Sequence, residues 1–305
     1  MHNSLIKPKR LLPGGTIGVI APAGKVNQED LHRGVAYLEK RGYRVILGRH
    51  LSKTHRYFAG EDHHRAEDFL GMMQNKEIDA VICARGGSGS ARIIPYIDAV
   101  ASFPPKIFVG CSDITTLLLY LSSGHGFVTF HGPMVAPQIG EGAPNLKGAE
   151  AADYLFQVLS GESLTMNVPE MTTLKPGTAD GILTGGCLSL ICTTIGTPYE
   201  IDTHDRILFI EDIAEAPYRI DRMLSFLKML NKFKDIRGLI LGQMPGCQAG
   251  QLPDIIMEIF SEFDIPILFG FPSGHGDALF TLPIGTPVRI NADANTVTML
   301  SPAVS

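Results

Sequence analysis

The chain of 305 residues contains no tryptophan, and aromatic residues make up only 8% of it. No basic stripe interleaved with aromatics occurs, and the formal net charge is −5, so nothing in it favours a nucleic-acid partner. Its five cysteines, Cys83, Cys111, Cys187, Cys192 and Cys247, are odd in number and widely scattered, which argues against a disulfide framework or a cysteine zinc site. Most sit in apolar or glycine-rich surroundings and read as small buried hydrophobes. No apolar run approaches the roughly 18 residues needed to span a bilayer, and no apolar segment follows the charged N-terminus. A cytoplasmic protein without a membrane partner is therefore expected.

What is present is a packed-core composition, 45% hydrophobic and 19% charged, in a chain long enough for two domains. The first half alternates short apolar runs with helical spacing. Strands are predicted at 16–21, 43–47 and 79–84, and helices at 27–41, 61–74 and 91–100, the last broken or kinked by Pro95. This alternation predicts an α/β fold with a parallel sheet covered on both faces. Residues 132–147 are rich in Pro and Gly, 149–159 has helical spacing, and 160–181 is again turn-rich. An N-terminal α/β domain over 1–150, a linker over 151–174 and a smaller, mixed, β-rich C-terminal domain over 175–305 are expected. Further strands are predicted at 206–210, 238–242 and 266–269, helices at 217–230 and 253–263, and a hairpin over 288–300.

Three polar side chains each follow an apolar strand-like run. Ser112 stands at the corner of Ile107-Phe-Val-Gly-Cys-Ser-Asp-Ile114, where a strand gives way directly to a helix. Such a corner pushes a hydroxyl clear of both elements while the backbone N–H groups of the new helix point at whatever it attacks. A serine hydroxyl needs a base at neutral pH. Glu211, at the end of the 206–210 strand, is expected to project from a sheet edge, and His275 lies between two glycines after the strand ending at Phe269. In an open parallel sheet this end gathers sites, and the order serine, acid, histidine occurs in hydrolytic triads. Cys111 is an equally placed rival nucleophile, and local pattern does not choose between them.

Arg85-Gly-Gly-Ser-Gly-Ser90 follows the 79–84 strand. Arg92 occupies the place of the third glycine in a dinucleotide fingerprint, so no nucleotide cofactor is expected. Glycine lets backbone N–H groups approach an anion. The loop, with Arg85, Gly86 and Gly87, is therefore read as substrate-binding and as half of an oxyanion hole, the N–H of Asp113 supplying the other half. The run 55–68, with His63, His64, Glu67 and Asp68, has no recognised zinc spacing and reads as a solvated helix face; no metal is expected.

As an ordered set, these residues resemble the LD-carboxypeptidase family of serine peptidases, which includes muramoyltetrapeptide carboxypeptidases and microcin C immunity proteins. The resemblance runs through Gly18-Val-Ile-Ala-Pro-Ala23, Ala59-Gly-Glu-Asp62, Arg65-Ala-Glu-Asp68, Ala84-Arg-Gly-Gly-Ser-Gly89, Gly110-Cys-Ser-Asp113 and His131-Gly-Pro-Met134. It continues through Gly185-Gly-Cys-Leu188, Leu208-Phe-Ile-Glu-Asp212, Tyr218-Arg-Ile-Asp-Arg222, Gly274-His-Gly276 and Leu282-Pro-Ile-Gly285. It implies that Ser112, not Cys111, is the nucleophile, with Glu211 and His275 completing the triad. It also implies a murein tetrapeptide substrate losing its terminal D-alanine, a cytoplasmic role in wall recycling and a homodimer. Two positions depart from the family pattern: Ser88 stands where an aromatic is usual, and Cys187 where asparagine is common. The absence of tryptophan removes a base-stacking residue that the immunity branch suggests. An amidase acting on a peptidyl-nucleotide and a non-catalytic binder of anionic peptides are the alternatives.

Overall fold

The structure is a computed structural model that describes residues 5–99, 102–140, 146–168, 170–248, 250–276 and 279–305. The chain runs β1 (Thr16–Ile20), α1 (Gln28–Lys40), β2 (Arg44–Leu47), α2 (Asp62–Gln74), β3 (Ala80–Cys83), α3 (Ser90–Asp98), β4 (Ile107–Gly110), α4 (Thr115–Leu119) and β5 (Thr129–His131). It continues with α5 (Leu146–Ser160), β6 (Thr165–Asn167), β7 (Thr172–Lys175), β8 (Thr178–Cys187), α6 (Leu188–Thr194), β9 (Arg206–Glu211) and α7 (Pro217–Met229). The remaining elements are β10 (Gly238–Gln243), α8 (Leu252–Ile259), β11 (Ile267–Gly274), β12 (Leu282–Ile284), β13 (Pro287–Asn291) and β14 (Thr296–Met299). None of the described helices is long and apolar enough to cross a membrane.

The strands form two sheets, six in the order β12-β5-β4-β3-β1-β2 and eight in the order β6-β14-β13-β8-β9-β10-β11-β7. In the first, β1 to β5 pair in parallel. β1, β3 and β4 are buried along their whole length, as strands covered on both faces must be, which is why they read as unbroken apolar runs. In the second sheet β8, β9, β10 and β11 pair in parallel, and the flanking pairs are antiparallel. One core is continuous between the sheets, with Ile17, Val109 and Phe130 from the first and Leu183, Phe209 and Phe271 from the second. The helix α1 starts where Asn27 accepts from the N–H groups of Glu29 and Asp30, and its buried face carries Leu31, Gly34 and Leu38. α3 is continuous through Pro95, where a break or kink is predicted from sequence.

The stretch 151–174 is not a linker. Residues up to 160 belong to α5, which lays Leu155, Phe156 and Leu159 into the core and stacks Phe156 on Tyr43 at 5.1 Å. The polar runs that follow are β6 and the start of β7, edge strands of the second sheet whose half-exposed threonines hide the strand period. β12 returns from the C-terminal part to pair antiparallel with β5, so the two parts share a sheet.

A buried arginine holds this arrangement where the glycine loop leaves β3. Arg65 of α2 is 1% exposed, and its Nη1 donates to the carbonyls of Pro22 and Gly89, both at 2.7 Å. Its Nη2 pairs with Asp62, and the guanidinium lies 4.9 Å over Phe58. Arg65→Met keeps much of the volume but strands two carbonyls. Urea unfolding should show a loss of about 3 kcal/mol at unchanged m-value. An unchanged midpoint would show that the guanidinium holds nothing.

Candidate active site

Each expected site residue sits at the C-terminal end of a parallel strand or in the loop just beyond it. β4 ends at Gly110, Cys111 is extended, and Ser112 opens a short 3-10 turn that runs into α4. Ser112 has φ +60°, a left-handed conformation that non-glycine residues rarely adopt and that costs about 1–3 kcal/mol. That twist turns the side chain out of the strand-to-helix corner and leaves Ser112 partly exposed, while Cys111 is 1% exposed. Burial, then the nearby Glu211 and Cys83, push the Cys111 thiol well above its ordinary pKa. Cys111 therefore faces the core as a protonated thiol, and of the two residues Ser112 is the one open to solvent.

The glycine loop closes on this corner. A methyl group on Gly86 would stand 2.8 Å from Ser112 Cβ and 3.1 Å from its Oγ, so only glycine permits this approach. Gly87 has φ +105° and is exposed, as is Ser88. Arg85 is exposed and its Nη1 donates to the Lys25 carbonyl at 2.9 Å. The loop is fixed from behind by Arg65 and from below by Asp113. The Asp113 carboxylate accepts from Ser90 N–H at 2.8 Å, and Ser90 Oγ donates to the Asp113 carbonyl at 2.6 Å. Burial raises the Asp113 carboxyl's pKa although Ser90 and Arg65 pull it down. Asp113 thus places its side chain on the start of α3, and its backbone remains at the corner beside Ser112.

Glu211 ends β9, the strand between β8 and β10, and is 0% exposed. This corrects the expectation of a carboxylate projecting from a sheet edge: β9 is an interior strand, with Cys187 of β8 directly opposite Glu211 on one side and β10, which runs on to Gln243, on the other. Its Oε2 lies 2.6 Å from His275 Nδ1. A methyl on Gly274 (φ +118°) would fall 2.9 Å from Glu211 Oε2, so the glycine before His275 lets the chain pass over the carboxylate. Burial pushes the Glu211 carboxyl up, and the hydrogen bond and charge of His275 pull it back. For His275 burial disfavours the proton, but the hydrogen bond and charge of Glu211 more than offset it, so its pKa is raised.

The start of α4, just after Ser112, is tied to the strand beside this pair. The N–H of Cys187 donates to Thr115 Oγ1 at 3.1 Å, and Cys187 stands opposite Glu211 in the β8–β9 register. Among the described residues the Ser112 hydroxyl makes no hydrogen bond, to His275 or to any other group. Nucleophile–base contacts are commonly loose before substrate binds.

Three further residues were not singled out as site residues from sequence. Asp212 accepts from the N–H groups of Ser189 and Ile213, both at 2.9 Å, and so fixes the start of α6 next to Glu211. Gln243 ends β10, and its amide oxygen lies where a side chain on Gly276 would have to go. His131 ends β5, fully buried against Phe209 at 5.1 Å, and burial and the charge of His275 push its pKa down to about 3. Gln243 and His131 end strands that neighbour one leading to a predicted site residue, and Asp212 directly follows Glu211; that position is the signal that could have found them.

The sequence and the fold have counterparts. Residues 17–132 match the model of the LD-carboxypeptidase N-terminal domain and residues 180–290 that of the LD-carboxypeptidase C-terminal domain. A protein of Bacillus subtilis (strain 168), described as a probable murein peptide carboxypeptidase, is 39% identical over 297 residues, covering 95% of this chain and 93% of that protein. The structure of MccF in complex with glutamyl sulfamoyl guanosine superposes with a TM-score of 0.91 at 25% identity, over 98% of this chain and 99% of that one. The muramoyltetrapeptide carboxypeptidase of Oxalobacter formigenes superposes with a TM-score of 0.78 at 28% identity, over 93% and 97%. The chain belongs to the LD-carboxypeptidase family.

The raised His275 pKa depends on one partner. In Glu211→Gln, burial remains without the compensating charge, and an NMR titration of the His275 ring should show its midpoint falling below that of the parent. The sign extends to stability. In the parent, this group's contribution is present below the unfolded-state pKa and is lost as pH rises through the higher folded-state value. A midpoint unmoved by the substitution would contradict the coupling.

Proposed function

We propose that this chain is a serine-type LD-carboxypeptidase that removes the terminal D-alanine from murein tetrapeptides. The observation that carries the reading is the 2.6 Å Glu211–His275 hydrogen bond beside a serine in a left-handed turn at a strand end. In this mechanism Ser112 Oγ attacks the carbonyl before D-alanine while His275 Nε2 takes its proton. Glu211 accepts from the opposite ring nitrogen, fixing the tautomer and stabilising the imidazolium. The N–H groups of Gly87 and Asp113 bind the oxyanion, each worth about 3–4 kcal/mol of transition-state stabilisation. His275 returns the proton to the departing amine of D-alanine. A water activated by the same imidazole then frees the tripeptide from Ser112. Arg85 and Gly86 line the acceptor side of the loop. The reading includes a homodimer in the cytoplasm acting on recycled wall fragments, on the strength of the family resemblance.

The higher TM-score of the MccF complex favours a second reading, in which the same triad cleaves an acyl group from a sulfamoyl nucleoside. The lack of any tryptophan to stack on a nucleobase weighs against it.

Purified protein given a murein tetrapeptide should release D-alanine. Ser112→Ala should lower kcat by at least about 10⁴-fold, and Cys111→Ala should stay within about tenfold of the parent, losing packing only. Activity lost in Cys111→Ala and kept in Ser112→Ala would overturn the assignment. Cleavage of a glutamyl sulfamoyl nucleoside with no D-alanine release would replace the first reading by the second.

A further inference from the structure

The segment before and within the first turn of α2 gathers imidazoles. Glu61, His63 and His64 each offer one ligand atom, and these atoms lie within 4.8 Å of one another. The rings of His63 and His64 are 4.0 Å apart between centroids, and His50 lies 4.5 Å from His64 on its other side. His63 Nδ1 is 3.4 Å from Glu61 Oε2. His64 Nδ1 is shut away from solvent and has no hydrogen-bond partner among the described residues. A solvated helix face, as the sequence pattern suggests, does not hide a ring nitrogen in this way.

We propose that Glu61, His63 and His64 form a site for a divalent transition cation of the Zn²⁺ class, with water completing the coordination. Two imidazoles and one carboxylate are the donor set such ions select, whereas Mg²⁺ and Ca²⁺ prefer oxygen alone. Metal–ligand bonds of about 2.0–2.1 Å require donors about 3.4 Å apart. Glu61 and His63 are exposed and free to swing the remaining distance.

Two features oppose a cation here, and both are mild. The start of α2 is the positive end of a helix, a weak repulsion that Glu61 and the nearby Glu67 counter. Glu67 also accepts from His50 at 2.9 Å, keeping that ring in place beside His64. The Lys53 ammonium donates to His64 Nε2 at 2.9 Å and repels an incoming ion. Lys53 is an exposed, flexible side chain and leaves readily.

Calorimetric titration of tag-free protein with ZnCl₂ tests the site, with the visible absorption of a Co²⁺ adduct reporting nitrogen ligands. One Zn²⁺ per chain is expected, with no uptake of Mg²⁺. His63→Ala and His64→Ala should each weaken Zn²⁺ binding at least about tenfold. Lys53→Met should tighten it by removing the competing charge. His63 is exposed, so its variant tests the site even where the half-buried His64→Ala fails to fold. Zn²⁺ binding of equal strength in His63→Ala, or no stoichiometric binding to the parent, overturns the proposal. None of these residues touches Ser112, Glu211 or His275, so the result stands apart from the peptidase reading.

Discussion

A carboxylate with no solvent exposure is costly unless something inside the protein answers its charge. Glu211 has one such answer, the ring of His275, and much of the second sheet exists to deliver it. β9 is an interior strand, which buries the carboxylate. β11 runs parallel one strand further out, and its last residue is a glycine because any side chain there would strike Glu211. The hydrogen bond then does two things at once. It reduces the cost of the buried charge, and it fixes which ring nitrogen of His275 faces outward.

The other half of the site is built by the first sheet, and its order comes from groups that never meet a substrate. Arg65 spends its donors on two backbone carbonyls, one of them in the glycine loop. Asp113 spends its carboxylate on the first turn of α3. The loop is thereby held close against Ser112, the preorganisation that the proposed oxyanion hole requires. The two halves are joined by the Cys187–Thr115 hydrogen bond and by β12, which carries the C-terminal part of the chain back to the first sheet.

How much of this could be read from the amino-acid order depended on how local each signal was. The strands β1, β3, β4, β9 and β10 are unbroken apolar runs because both of their faces are covered, and they stand out in the sequence. Ser112 was visible as a corner, since an apolar run meets helical spacing with no linker between them. The choice between Ser112 and Cys111 was not visible locally, because it rests on a backbone twist and on which side chain faces the core. Residues 160–181 hid three strands, since partly exposed threonines between prolines and glycines carry little period. Glu211 was placed at the right strand end but expected at an edge; its burial is a property of strand order, set by β8 and β10 on either side of β9. His131 and Gln243 lie in the same class, ordinary in sequence and informative only when their strands are neighbours.

The central claim is that the twisted serine, not the thiol beside it, is the nucleophile that the Glu211–His275 pair serves. A serine-directed phosphonate tests this directly when the labelled protein is digested and the modified residue located by mass spectrometry. A single adduct on Ser112, formed more slowly in Glu211→Gln, is the predicted result. An adduct on Cys111 or another residue, or labelling of Ser112 at a rate indifferent to Glu211, would contradict it.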